Sequence, residues 1–98
     1  MKKLVFETTE EFEKVFKTSS LEVTNAIAAA IEDAVIHRKS SAKCFDITFQ
    51  NHDERFEISL PKSEWVGALN SCLDFYHKNE CFDKAIDTWK LVEAVKII

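Results

Sequence analysis

The stretch "KCFDITFQNHDERFEISL", Lys43 to Leu60, alternates along two runs. Phe45, Ile47 and Phe49 alternate with Cys44, Asp46, Thr48 and Gln50. Phe56, Ile58 and Leu60 alternate with Arg55, Glu57 and Ser59. Successive side chains of a strand point to opposite faces, so a period of two predicts strands with one dry and one wet face. The polar run "NHDE" between them is the turn of a β-hairpin. Two strands alone are marginal in water, so the dry face must lie on something else.

The flanks supply helices to cover it. Upstream, "TTEEFEKVFK" predicts a short helix. Thr8 and Glu11 have capping-box spacing, Phe12, Val15 and Phe16 share a face, and Glu10/Lys14 and Glu13/Lys17 are favourable pairs. A second capping box, Ser19 and Glu22, opens a longer helix with Ile27, Ile31, Ala34 and Val35 on one stripe. Ala26, Ala28, Ala29 and Ala30 give it a slim midsection. Arg38 and Lys39 near its end complement the helix dipole. Ahead of both, Leu4 to Phe6 is a candidate short strand at one edge of the hairpin.

Downstream, Pro61 suits a first helical position. Trp65, Val66, Leu69, Cys72, Leu73 and Tyr76 then form an inward stripe, and Gly67 is read as marking a close approach. Asn79 is the expected N-cap of a last helix whose inward stripe is Phe82, Ala85, Ile86, Trp89 and Val92. Leu91, Val95 and Ile98 start a second stripe. The expectation is an α+β domain over 1–98, helix–helix–β-hairpin–helix–helix, with a candidate N-terminal strand.

Composition narrows the function. The 98 residues carry 46% apolar side chains, including eight Phe, two Trp and one Tyr, enough for a single core. A net charge of -4 with scattered cations disfavours nucleic acid as the main partner. The apolar run after Lys2 and Lys3 is far shorter than a signal-peptide core, and no stretch approaches a membrane span. Three cysteines without paired spacing fit a reducing cytoplasm. No phosphate-binding glycine loop is present, so no nucleotide cofactor is expected.

Cys72, His77 and Cys81 fall close together in sequence. Zinc prefers four ligands in tight pairs, and Cys44 and His52 would have to come from the distant hairpin. A buried cysteine beside a helical turn is the simpler reading. Cys81 at a helix start near His77 could be a reactive thiol, but Glu80 and Asp83 oppose its ionisation. His52 with Asp53 and Glu54 reads as a polar turn. His37 reads as a helix-end cap or a solvated side chain. Asp46 and Glu57 belong to the wet face, with Arg55 and Lys43 as partners. Neither a catalytic nor a metal site is expected.

The run "ECFDKA" within "LDFYHKNECFDKAIDTWKLV" resembles the UVR helical hairpin, a protein-docking module of nucleotide-excision-repair proteins. The resemblance covers under a quarter of the chain. The Arg-Asp pair of that module is missing, since Thr88 and Trp89 follow Asp87, and no residue roles are carried over.

The aromatic load points instead to recognition. Phe75, Tyr76, Phe82 and Trp89 form the expected contact group, because exposed aromatics anchor interfaces. The leading expectation is a small acidic cytosolic adaptor or regulator without catalytic activity, binding a protein partner or a second copy of itself. One rival is an inhibitor of the type viruses encode, presenting Glu7, Glu10, Glu11, Glu13, Glu32 and Asp33 to a nucleic-acid enzyme. The other is a small thiol enzyme or metal protein.

Overall fold

The computed structural model describes residues 2–17, 21–50 and 54–98. In order they form β1 (Lys2–Phe6), α1 (Thr9–Lys17), α2 (Leu21–Ile36), β2 (Ser41–Phe49), β3 (Glu54–Pro61), a single 3-10 turn (Lys62–Glu64), α3 (Trp65–Lys78) and α4 (Phe82–Lys96). The strand order is β1-β2-β3. β1 runs parallel to β2 with Leu4 beside Ile47 and Phe6 beside Phe49. β2 and β3 are antiparallel, Ile47 facing Phe56. The expected α+β architecture is therefore present, and the N-terminal strand lies against the hairpin at β2.

The dry face follows the alternation with two departures. Phe45, Ile47 and Phe49 are buried, and Ile58 and Leu60 are half-buried. Phe56 shares their face and meets Phe49 edge-on at 5.8 Å, but it is 49% exposed. It sits on an edge strand, so it has a neighbour on one side only. The second departure is Cys44, assigned to the wet face and in fact buried against the core. The ladder shifts register between Lys43 and Phe45. Such a bulge adds one unpaired residue and breaks strict alternation, and this one turns Cys44 inward.

Two apolar clusters share one seam. Ile31, Ala34, Ala42, Trp65, Leu69, Val92 and Val95 form the first. Phe6, Val23, Cys44, Phe45, Ile47 and Phe49 form the second. Ile27, Ala30 and Leu60 pack against both. Trp65 is wholly buried and donates its indole N–H to the Leu60 carbonyl at 2.8 Å. Phe12 of α1 packs edge-on to Phe6 and Phe49, at 5.7 Å from each.

The helix ends explain several boundaries. At α1, the Glu11 N–H donates to Thr8 Oγ1 at 3.3 Å, as a capping box requires. The returning bond is displaced by one residue, the Glu11 carboxylate accepting from the Glu7 N–H at 3.0 Å. The Ser19 half of the second capping box, and His52 with Asp53, lie outside the described residues. Pro61 ends β3 and precedes the 3-10 turn instead of opening α3. Asn79 closes α3 instead of opening α4, its side-chain amide donating to the Phe75 carbonyl at 2.8 Å.

Both α2 and α3 end in the Schellman arrangement. Lys39 N–H reaches Ala34 O at 2.8 Å and Arg38 N–H reaches Val35 O at 3.2 Å. Cys81 N–H reaches Tyr76 O at 2.8 Å and Glu80 N–H reaches His77 O at 3.2 Å. This motif needs a left-handed residue, usually glycine. Here Arg38 (φ 54°) and Glu80 (φ 57°) occupy it. The single glycine stands elsewhere: Gly67 is in the first turn of α3, and a Cβ there would meet nothing within 4 Å. Gly67 marks no close approach. Gly67→Ala should therefore stabilise the fold by about 0.5–1 kcal/mol. Glu80→Gly should add about 1 kcal/mol by relieving the left-handed strain. Urea midpoints of the two variants, both above wild type, check this.

Candidate protein-binding face

α4 turns a different side inward from the one its apolar spacing suggests. Its buried residues are Thr88, Val92 and Val95. Thr88 is tolerated there because its hydroxyl donates to the Lys84 carbonyl at 2.7 Å, leaving no unsatisfied polar group. Small and β-branched side chains on this face let α4 lie close to α3. The consequence is that Phe82, Ile86 and Trp89 face solvent, at 53%, 54% and 56% exposure. They recur one turn apart, on a single stripe. Placing Phe82, Ile86 and Trp89 on the inward side is thereby corrected.

The four expected contact aromatics divide among three environments. Phe82 and Trp89 belong to the exposed stripe. Tyr76 does not: it is buried, its hydroxyl donating to Asn25 Oδ1 at 2.6 Å. Its position on the inward stripe of α3, with Trp65, Leu69 and Cys72, requires this. Phe75 is half-buried in a groove between α2, β3 and α3 of about 730 Å³, whose other walls include Val23, Ile27, Leu60 and Ala68. His77 is two residues on, about 200° around the helix, and its ring meets Phe82 at 5.8 Å. Phe75 and Phe82 thus lie on opposite flanks of α3 and cannot share one contact surface. Ile86 is the residue that sequence reasoning omitted from the face, because its spacing with Phe82 and Trp89 also fits a core stripe.

The thiols and carboxylates have local explanations. Cys72 is buried, with its Sγ–H directed at the Thr24 carbonyl (3.8 Å), and burial pushes its pKa up to about 11. Burial also raises the Cys44 thiol. Cys81 precedes α4 with its Sγ 3.6 Å from the Asn79 carbonyl oxygen. Among the described residues, no three His, Cys, Asp or Glu side chains gather as metal ligands. Asp46, on the wet face of the sheet, is nonetheless buried because Arg55 lies over it. The Arg55 Nε–H donates to Asp46 Oδ1 at 2.7 Å and a second guanidinium nitrogen to Oδ2. That hydrogen bond holds the Asp46 carboxyl below its usual range. Lys43 and Glu57 approach to 3.9 Å. His37 Nδ1 lies 2.9 Å from the Asp33 carbonyl oxygen, a helix-end contact as expected.

Tyr76 offers a direct test of this interior. Burial, followed by the nearby Cys72 and Cys81, raises its phenol to about 12. It is the only tyrosine in the chain, so absorbance at the tyrosinate band reports it alone. The native protein should titrate near 12 and the urea-unfolded protein near about 10. A raised folded pKa means the unfolded chain loses its proton first. The stability that Tyr76 contributes is therefore full below about pH 10 and is lost as pH rises towards 12. Thiol labelling at neutral pH should modify Cys81 before Cys44 and Cys72.

Comparison with protein-family models, with curated proteins and with solved structures finds no match to this chain. The UVR-like run therefore gains no support from a family match, and the reading rests on geometry. Among the described residues, no helix is long and apolar enough to cross a membrane.

Proposed function

We propose that this chain is a small non-catalytic protein-binding domain, working in a reducing cytoplasm, and that α4 is its contact surface. One observation carries the proposal: Phe82, Ile86 and Trp89 stand side by side on one helix face, each more than half exposed. A solvent-facing helix ordinarily places its apolar residues towards the core. Phenylalanine and tryptophan on such a face supply the rigid apolar area from which interface hot spots are built. An apolar stripe on a helix fits a hydrophobic groove or another helix, read at one-turn intervals. The cytoplasmic setting is supported by Cys44, Cys72 and Cys81, all free thiols.

The test is capture from host extract with the full chain as bait. Ile86→Asp and Trp89→Ser should each release a partner that wild type retains, with circular dichroism unchanged because both side chains are exposed. Phe75→Ser, in the α2–α3 groove, should retain it. Retention by Ile86→Asp and Trp89→Ser alike would sink the proposal.

A further inference from the structure

The charges flanking the α4 stripe identify one occupant. Phe82 lies about one turn before Ile86 and Trp89 about one turn after it. Asp83 and Lys90 are likewise placed before and after Ile86. They are two turns apart, so both lie on the same flank of the stripe. Both are exposed, and neither enters an ion pair among the described residues; the pairs of this region are Lys78–Asp74 and Lys96–Glu93. A two-fold axis perpendicular to an antiparallel helix pair keeps each flank on its own side and reverses its order. Rotation about such an axis at Ile86 therefore sets Phe82 against Trp89 of the second copy. It also sets Asp83 against Lys90 of the second copy, and each pairing occurs twice. Parallel pairing would instead carry each flank to the other side, leaving Asp83 and Lys90 against Phe82 and Trp89 of the second copy.

We infer that the occupant of the α4 face is a second copy of this chain, held as an antiparallel α4–α4 dimer centred on Ile86. The inference rests on the protein-binding reading of that face and names its partner. The chain exposes 6579 Å² in total. An interface of about 1,000 Å² takes about 500 Å² from each copy, which one helix face with its neighbours can provide. The Phe82–Trp89 contacts supply the apolar centre. The Asp83–Lys90 pairs at the rim choose the direction, since only antiparallel pairing gives either charge an opposite partner.

Sedimentation velocity of the full chain, from about 1 to about 100 µM, reads the dimer directly. Wild type should dimerise in this range. Ile86→Asp, which puts two carboxylates together on the axis, should be monomeric throughout with an unchanged circular dichroism spectrum, and its urea midpoint should match that of wild type diluted to monomer. Asp83→Lys alone and Lys90→Asp alone should each weaken association about tenfold, because each change affects two symmetric pairs. The double exchange Asp83→Lys/Lys90→Asp should restore association to within about threefold of wild type. A wild-type monomer at every concentration overturns the inference. So does a dimer indifferent to Ile86→Asp, or a double exchange no better than its parents. If the chain is monomeric yet Ile86→Asp still releases a captured partner, the dimer fails and the protein-binding reading stands.

Discussion

Trp65→Ala should lower stability by about 3–5 kcal/mol, the range for deleting a fully buried aromatic side chain. Trp65 is at 0% exposure, in a cluster with Leu69, Ile31, Val92 and Val95. Its indole hydrogen bond to Leu60 O also ties the first residue of α3 to the end of β3. A domain of this size has about 5–15 kcal/mol in all. The variant should therefore melt about 12–40 °C below wild type, at about 4–8 °C per kcal/mol. Trp65→Phe keeps most of the volume and loses the hydrogen bond, so it should fall between, about 1–3 kcal/mol below wild type. Urea titrations followed by circular dichroism give the order. If Trp65→Ala came within about 1 kcal/mol of wild type, the junction of sheet and helices would have to be redrawn.

Ile47→Ala should cost about 2–5 kcal/mol, and Thr48→Ala should cost little. Ile47 is 1% exposed between Leu4 of β1 and Phe56 of β3, facing α2. Thr48 is its neighbour on the opposite face. The contrast tests strand register, because a slip of one residue would exchange the two faces. Equal costs for the two substitutions would mean that the ladder has been misread.

The hairpin was legible because burial on one face imposes a period of two over both strands. The helix of Trp65, Leu69, Cys72 and Tyr76 was legible for the same reason at a period near 3.6. Where the reading failed, a local bond had replaced the pattern. Cys44 broke alternation through a bulge that no composition signal announces. Asp46 was buried by a cross-strand guanidinium, not by apolar neighbours. Thr88 escaped notice because its hydroxyl is satisfied within its own helix, leaving the more hydrophobic Phe82, Ile86 and Trp89 as the apparent inward side. That single reversal hid the candidate face while its aromatic members were already suspected. Tyr76 was grouped with them through proximity in sequence, although its own stripe directed it inward. Gly67 and Glu80 show that backbone need and residue choice are not matched at every turn in this chain.

The seam at Ile27, Ala30 and Leu60 has a consequence for how the molecule comes apart. Since α2 supplies two of these three residues, the sheet cannot lose its helical cover while the α2–α3–α4 layer remains whole. Neither half is an independent cooperative unit. Amide protons in the middle of α2 should be released only with complete opening of the chain, whereas those of α1, tethered through Phe12, can exchange by a smaller excursion. Damage confined to one layer, whether a cavity at Trp65 or a slipped strand at Ile47, is thus transmitted across α2 and experienced by the whole domain at once.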